Sequence, residues 1–219
     1  MQVFCDFDGT ITVVDTTDHV LGHLAPTAWE AIEADWLAGR IDAATCMRRQ
    51  IALIQGDEAA LDAVLDAVAL DPGFCDFAAW CGAQGLPLTV VSDGVDRFIR
   101  RILGRHGLSG LPVIANRLAG RPGARRLDQP FRRPGCAAGA GVCKCDVVAA
   151  RNLSGQRLVY IGDGRSDFCV SQRAELLFAK GALADYAAAR GQSHHTYETF
   201  HDITATLAPL LGAGRAAAI

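Results

Sequence analysis

Two carboxylates at the exit of a predicted strand are the feature that most constrains this chain. Residues 2–7 form an apolar run with β-branched and aromatic side chains, and the motif D-F-D-G-T ends it within ten residues of the N-terminus. The run predicts a buried strand, and Gly9 allows the backbone to turn sharply after it. Because Asp6 and Asp8 are two residues apart where the strand gives way to a loop, we expect both carboxylates to face one pocket.

A pocket that holds two carboxylates favours phosphoryl-transfer chemistry. An aspartate is a poor nucleophile unless its target is very electrophilic and a cation holds the negative charges together. A phosphoryl group bound to Mg²⁺ meets both conditions, and aspartyl-phosphate intermediates are an established covalent strategy. A lone D-x-D is also common in acidic turns, so this interpretation depends on matching residues elsewhere in the chain.

Two further predicted strands, residues 88–92 and 157–161, also end in polar residues. The residues that close or follow them are Ser92, Asp93 and Gly94 in the first case and Asp163 and Asp167 in the second. Between the two strands, Lys144 opens a predicted helix over residues 144–151. Each feature alone has an ordinary structural explanation, as a turn serine, a helix-capping turn or a solvated lysine. Their joint order and spacing favour phosphoryl transfer.

The four motifs in this order resemble the haloacid dehalogenase superfamily, and in particular its phosphatase branch, from Val3 to about Lys180. The resemblance implies that Asp6 is the nucleophile and that Asp8 protonates the leaving group and later activates water. It assigns the phosphoryl oxygens to Ser92, Asp93, Gly94 and Lys144. It assigns the metal to Asp6, Asp8, Asp163 and Asp167. In this arrangement the backbone carbonyl of Asp8 binds the metal. Asp167 either binds the metal directly or contacts a residue that does.

Four converging carboxylates need a cation. A pair of like charges about 4 Å apart costs about 4 kcal/mol at an effective dielectric constant of about 20. A divalent cation offsets this repulsion, and Mg²⁺ is favoured over Zn²⁺ because every candidate ligand atom is an oxygen. We therefore expect Mg²⁺ as the cofactor.

The order of predicted elements indicates an α/β fold with an inserted helical segment. Residues 14–76 carry apolar side chains at helical spacing and no strand pattern, so they are expected to form a helical cap. Residues 1–13 and 77–219 alternate strands with helices, which predicts a doubly wound parallel sheet as the catalytic core. In such sheets ligands bind at the carboxyl ends of the strands, which is where the motifs lie.

Composition argues against several functions. The chain has 219 residues, of which 50% are hydrophobic, a net charge of −3 and a pI near 6.0, so general nucleic-acid binding is not expected. No apolar run is long enough to predict a membrane span, and no leader pattern is visible. We expect a cytoplasmic monomer or homodimer whose eight cysteines are not paired in disulfides.

Three residues are expected to contact the substrate beyond its phosphate. In the phosphoserine-phosphatase-like branch, an acidic residue at the offset of Asp15 from the nucleophile and an arginine of the cap make such contacts, which here implies Asp15 with Arg48 or Arg49. Asp15 alternatively caps a helix, and one of the two arginines is alternatively solvated. A helical cap at this place implies a small phosphorylated metabolite rather than a macromolecular substrate.

A looser resemblance concerns the 2-hydroxy-3-keto-5-methylthiopentenyl-1-phosphate phosphatases of methionine salvage. It rests on the stretch D-F-D-G-T-I-T-x-x-D, on the position of the cap and on the segment from Gln129 to Lys144. The chain departs from that subgroup at Asp93, where a glycine is common, and at Arg165 and Ser166. Phosphoserine phosphatase, another small-metabolite phosphatase and a phosphotransferase that uses the same residues stay open as alternatives.

Two clusters outside these motifs have alternative interpretations. Cys136, Cys143 and Cys145 have the spacing C-x₆-C-x-C, which matches no standard structural zinc pattern. This spacing favours free thiols over a zinc or redox site with a fourth ligand from elsewhere. Six arginines lie within residues 117–133, either as the arginines of a hairpin or as a basic face for an anionic substrate or nucleic acid.

Overall fold

A computed structural model describes residues 1–152 and 155–216, which form a seven-stranded sheet with flanking helices. The strands are β1 (Gln2–Cys5), β2 (Leu88–Val95), β3 (Val113–Arg121), β4 (Ala124–Asp128), β5 (Leu158–Gly162), β6 (Leu176–Ala179) and β7 (His195–Thr196). The helices are α1 (Thr16–Leu24), α2 (Ala28–Leu37), α3 (Ala43–Ile51), α4 (Glu58–Asp66), α5 (Phe74–Gln84), α6 (Asp96–Arg105), α7 (Lys144–Arg151), α8 (Phe168–Ser171), α9 (Gly181–Ala189) and α10 (Phe200–Ala216).

The sheet is parallel except for one hairpin and has the strand order β4-β3-β2-β1-β5-β6-β7. β1 lies at its centre and pairs in parallel with β2 on one side and with β5 on the other. β3 and β4 pair antiparallel at one edge. The predicted doubly wound α/β fold is therefore confirmed, and the three strands that carry the motifs are direct neighbours.

Alternate residues of β1 face two separate layers of the core. Val3 and Cys5 lie in the hydrophobic cluster that includes side chains of α5, α6 and α10. Phe4 lies in the cluster that includes side chains of α7 and α9. This alternation follows from the two-residue period of a strand. All three side chains are fully buried, so β1 is held on both faces and carries Asp6 to a defined place.

Two strands extend beyond the residues predicted for them. β2 continues to Val95 instead of ending at Ser92, with a shift of register against β3 between Val91 and Val95. The sequence also predicts a short strand over residues 112–115; in the structure this strand, β3, continues to Arg121 because it turns back as the β3–β4 hairpin. A local sequence pattern locates a strand, but the pairing that lengthens it depends on the partner strand.

Residues 16–66, all of which are described, form the four helices α1 to α4 and contain no strand. The side chains of Asp15, Asp42 and Asp57 cap α1, α3 and α4 by accepting backbone hydrogen bonds. Phe74 of α5 lies in the hydrophobic cluster against the sheet, so α5 packs with the core. The cap boundaries at residues 14 and 76 stay a prediction.

A buried arginine of the β3–β4 hairpin holds the segment that leads into α4. The side chain of Arg125 is 1% exposed, and it pairs with Glu58 Oε1 at 3.0 Å. Its guanidinium also donates to four successive backbone carbonyls at 2.9–3.3 Å, those of Ile54, Gln55, Gly56 and Asp57. Because these carbonyls depend on one charged donor group, Arg125 attaches the inserted helices to the sheet.

None of the helices within the described ranges combines the length and the apolar composition needed to cross a bilayer.

Replacement of Arg125 by leucine is expected to lower the free energy of unfolding by about 2–4 kcal/mol, because buried carbonyls lose a charged donor. The measurement is urea denaturation. Arg126→Leu is the matched control, since the side chain of Arg126 is exposed and pairs only with Asp128 at the surface. This variant should lower the free energy of unfolding by less than about 1 kcal/mol. Equal losses for the two variants would contradict the anchoring role of Arg125.

Candidate active site

The loops after β1, β2 and β5 meet at one edge of the sheet and line a cavity of about 340 Å³. This is the carboxyl edge, where parallel α/β sheets bind ligands. The core residues that line the cavity include Asp6, Asp8, Ser92, Asp93, Gly94 and Asp163. Lys144 lies directly behind them. The structure therefore brings the predicted catalytic and phosphate-binding residues together.

A buried lysine bridges two of the motif carboxylates. Lys144 Nζ lies 2.7 Å from Asp6 Oδ2 and 2.6 Å from Asp167 Oδ1, and it donates to Ser166 Oγ at 2.9 Å. Burial disfavours its charged form, but the attraction of Asp167 and Asp6 outweighs that effect and raises the pKa of Lys144. The lysine is therefore a permanent positive charge next to the predicted nucleophile.

Both carboxylate oxygens of Asp167 accept hydrogen bonds from other groups of the protein. Its Oδ1 accepts from Lys144 and from the hydroxyl of Tyr160, each at 2.6 Å. Its Oδ2 accepts from the backbone N–H groups of Asp163 and Gly164 at 3.1 Å each. These contacts fit a residue that orients Lys144 and the loop after β5 better than a direct metal ligand.

Asp8 has the surroundings of a proton donor. Its Oδ1 accepts from the backbone N–H of Thr16 at 2.9 Å and from the Thr16 hydroxyl, and Ser92 Oγ lies 3.4 Å from its Oδ2. Burial, followed by the charge of Asp15, raises the pKa of Asp8 to about 7. A carboxyl group with this pKa carries its proton in a large fraction of molecules near neutral pH, as a general acid requires.

Three carboxylates crowd together at the place predicted for the cation. Oxygen atoms of Asp6, Asp163 and Asp167 lie within 4.8 Å of one another, and this is the only such group of ligand atoms among the described residues. Burial first, and then the charge of Asp167, raises the pKa of Asp6. Burial, opposed by the Thr10 hydroxyl and reinforced by Asp167, raises the pKa of Asp163 to about 6. One lysine does not neutralise these groups, and the all-oxygen donor set fits Mg²⁺.

Asp93 supports the segment that leads into α7. Its Oδ1 accepts from Asn116 Nδ2 at 3.1 Å and from the backbone N–H of Val142 at 2.9 Å. The carboxylate thus positions residues just before Lys144. A direct contact of Asp93 with phosphate stays a prediction. Asn116 was missed in the sequence, where nothing distinguishes it from other polar residues at a strand.

The three residues predicted to contact the substrate have different surroundings. Asp15 lines the cavity and also caps α1, because its Oδ1 accepts from the backbone N–H groups of Thr17 and Asp18 at 2.8 and 3.0 Å. Arg48 and Arg49 are not among the residues that line the cavity. Arg48 donates instead to Gln129 Oε1 at 2.7 Å and to Thr45 at 3.0 Å. Substrate contact by either arginine stays a prediction.

The sequence analysis missed most residues on the cap side of the cavity. Among the missed residues are Asp18, Glu33, Trp36 and Gln50. Trp36 recurs with Trp29 and Ile32 at helical spacing, which is typical of a core-facing helix. α2, however, has no fully buried residue. Part of its apolar face lines the cavity, and sequence spacing alone does not distinguish these two surroundings.

The other two clusters lie outside the cavity. Cys136, Cys143 and Cys145 are free, and no thiol belongs to a group of three close ligand atoms among the described residues. In the arginine-rich segment 117–133, four side chains form salt bridges with carboxylates of the protein, those of Arg125, Arg126, Arg132 and Arg133. Carboxylates therefore neutralise most of the positive charge that a basic face would need, which favours the interpretation as the arginines of a hairpin.

The family comparison agrees with this geometry. The family model of the haloacid dehalogenase-like hydrolases matches residues 3–172, which include all four motifs. The chain belongs to the haloacid dehalogenase-like hydrolases. The superfamily resemblance seen in the motifs is therefore confirmed.

Relatives and solved structures add detail about this hydrolase. It is 28% identical to a 2-hydroxy-3-keto-5-methylthiopentenyl-1-phosphate phosphatase of Brevibacillus brevis, over 93% of each chain. It is 30% identical to the phosphatase of the same name from Geobacillus kaustophilus, again over 93% of each chain. A solved phospho-aspartyl intermediate analogue of phosphoserine phosphatase superposes with a TM-score of 0.68 at 18% identity, covering 94% of this chain and 97% of the other. The last likeness shows the shared fold.

Replacement of Gly94 by alanine is expected to lower kcat/KM for p-nitrophenyl phosphate by about 10²–10⁴, the usual range of a general acid–base contribution. A methyl group at Gly94 would overlap Asp8 Oδ2 and crowd Ser92 Oγ, so the proton donor must move. Gly94 does not have a positive φ angle, so its backbone accepts alanine. Gly82→Ala on α5 is the control, because a methyl group there meets no atom within 4 Å. Full activity of the Gly94 variant would refute this packing constraint.

Proposed function

We propose that this hydrolase is a Mg²⁺-dependent phosphomonoesterase that acts on a small phosphorylated metabolite. In this proposal Asp6 carries the phosphoryl group between two half-reactions. The observation that supports it most is the contact of Asp6 with the buried, charged Lys144, in a cavity that also holds Asp8. A nucleophile, a proton donor and a fixed positive charge are the groups that phosphoryl transfer through a covalent intermediate needs.

The first half-reaction transfers the phosphoryl group to the protein. A carboxylate oxygen of Asp6 attacks phosphorus, an O–P bond forms, and the bond from phosphorus to the ester oxygen breaks. Asp8 gives its proton to the departing oxygen, which leaves as an alcohol. Lys144 and Ser92 hold the phosphoryl oxygens, and Gly94 leaves room for the phosphoryl group beside Ser92.

The second half-reaction releases phosphate. Asp8, now ionised, takes a proton from a water molecule as the water attacks phosphorus. The bond between phosphorus and Asp6 breaks, which regenerates the carboxylate and frees inorganic phosphate. Lys144 stays charged throughout because its pKa is raised by the two aspartates beside it.

The proposed metal ligands are Asp6, Asp163 and the backbone carbonyl of Asp8. Asp167 would support them from behind through Lys144 and the loop after β5. Mg²⁺ at this place would supply positive charge that offsets the carboxylates and would polarise the phosphoryl oxygens.

The substrate is proposed from the relatives and from the size of the cavity. The named substrate of the relatives, 2-hydroxy-3-keto-5-methylthiopentenyl-1-phosphate, is the first ester to assay. Phosphoserine and other small phosphomonoesters are alternatives. A phosphotransferase would use the same residues, and adding acceptor alcohols distinguishes it, because a transferase yields a new ester instead of inorganic phosphate. A cytoplasmic location and a monomeric or homodimeric state stay predictions.

The purified protein is expected to release phosphate from p-nitrophenyl phosphate only with Mg²⁺, and EDTA should abolish the release reversibly. Asp6→Asn should abolish turnover, because an amide is not a nucleophile. Asp8→Asn should lower kcat by about 10²–10⁴. The measurement is the phosphate release rate of each variant.

Two controls make the assay decisive. Urea unfolding shows that each variant is folded, and mass spectrometry of Asp6→Asn excludes deamidation back to aspartate. Activity that survives EDTA, or a normal rate for the Asp6 variant, would overturn the proposal.

A further inference from the structure

The segment that joins β4 to α7, residues 129–143, binds one of the inserted helices, and we call this segment the strap. The carbonyl of Gly139 in the strap accepts a hydrogen bond from the backbone N–H of Ala44 at 2.9 Å. Gln129 Nε2 donates to the carbonyl of the same alanine at 2.9 Å. Ala44 belongs to the first turn of α3 and is fully buried. The strap therefore binds both backbone groups of one residue of α3.

An arginine of α3 fixes the side chain of Gln129. Arg48 Nη1 donates to Gln129 Oε1 at 2.7 Å, and Arg48 Nη2 donates to Thr45 Oγ1 at 3.0 Å. A guanidinium is charged, so its hydrogen bonds are stronger than those between neutral groups. Arg48 and Gln129 are both half-buried, which reduces the competition from water. The amide of Gln129 is thus bound at both ends by α3, and its orientation is set.

The far end of the strap leads into Lys144. The backbone N–H of Cys143 donates to the carbonyl of Phe131 at 3.0 Å, so the two ends of the strap are bound to each other. Cys143 is the N-cap of α7, and Lys144 is the first residue of that helix. One hydrogen bond therefore connects the end of the strap that binds α3 with the residue that precedes the buried lysine.

Close packing makes this connection stiff. A methyl group added at Gly141 would lie 2.5 Å from Gln129 Nε2 and 2.5 Å from Asn116 Oδ1, closer than such atoms approach one another in proteins. Gln129 therefore packs directly against the backbone three residues before Lys144. Close-packed groups leave no space for one of them to move alone, so a displacement of Gln129 would also displace the strap.

The strap and α3 also form one wall of the cavity. Ala138 and Ala140 of the strap line the cavity together with Ala43 and Met47 of α3. These four side chains carry no acid, base or charge, so they take no part in the transfer of a proton or a phosphoryl group. This wall acts on the reaction through the position of the residues that it holds.

We infer that Arg48 and Gln129 are positioning residues: they join α3 to the strap and thereby hold Lys144 against Asp6. A displacement of about 1 Å at a catalytic group can cost about 10²-fold in rate, so a link that fixes Lys144 affects transfer without contacting the substrate. The inference rests on the proposed phosphomonoesterase function. It gives Arg48 a role different from the substrate contact that the sequence resemblance implies.

The kinetic test uses phenyl phosphate, whose only polar group is the phosphate. Arg48→Met and Gln129→Leu are each expected to lower kcat for this ester by about 10–100-fold. The loss should fall on kcat more than on KM, because the charge on the phosphoryl oxygens needs Lys144 most in the transition state. An arginine that contacts a second group of the substrate would leave phenyl phosphate unaffected. Normal kcat values in both variants would overturn the inference.

A double variant and a control assign the loss to this link. Arg48→Met combined with Gln129→Leu should match Gln129→Leu alone within about twofold, because both changes remove the same connection. Losses that multiply would contradict a shared link. Gln172→Leu is the matched control, since Gln172 is exposed, donates only to the hydroxyl of Tyr186 and is not among the described residues that line the cavity; its kcat should equal that of the wild type.

Urea unfolding of each variant separates positioning from stability. The assays are run at a temperature at which every variant is folded. A lower free energy of unfolding with an unchanged kcat would show that the link only stabilises the fold, and it would overturn the inference.

Hydrogen exchange separates this inference from the proposed function, because it needs no substrate. The backbone N–H groups of Val142 and Cys143 are bound to Asp93 and Phe131, and mass spectrometry of the peptide that contains them reports their protection. Gln129→Leu should speed their exchange at least tenfold, and Gln172→Leu should leave it unchanged. Unchanged exchange in Gln129→Leu would overturn the inference alone. Absence of phosphate release from every ester by the wild type would overturn the proposed function, whereas faster exchange would still support the link between α3 and α7.

Discussion

The buried ion pair of Lys144 with Asp6 and Asp167 is the interaction on which the rest of the site depends. A lysine without solvent around it is costly unless carboxylates compensate its charge, and here both partners lie within 2.7 Å. Asp167 in turn binds Tyr160 and the loop after β5. One network therefore joins three motifs that are far apart in sequence, and it keeps the candidate nucleophile in a fixed place.

Negative charge also dominates the core side of the cavity. Asp6, Asp163 and Asp167 bring oxygen atoms within 4.8 Å of one another beside a single lysine. The carboxylates therefore outnumber the positive charge, which accounts for the proposed metal.

Much of this arrangement follows from the sequence because strand ends in a parallel sheet meet at one edge. That rule places Asp6, Ser92 and Asp163 together before any contact is known, and the helix predicted from Lys144 to Arg151 has those bounds in the structure. Side-chain direction on the inserted helices was not predictable. Arg48 turns to Gln129 on the β4 side, whereas Trp36 faces the cavity, because helix packing decides which face of a short helix is covered.

The most direct test of this account is to trap the phosphoryl group on Asp6. The protein is mixed with Mg²⁺ and p-nitrophenyl phosphate, quenched in acid within the first turnover, reduced with borohydride and digested for mass spectrometry. An aspartyl phosphate is reduced to homoserine, so the account predicts homoserine at position 6 in the sample with substrate and aspartate there in the sample without it. Phosphate release in that turnover with aspartate unchanged at position 6, or with homoserine at another aspartate, would contradict it.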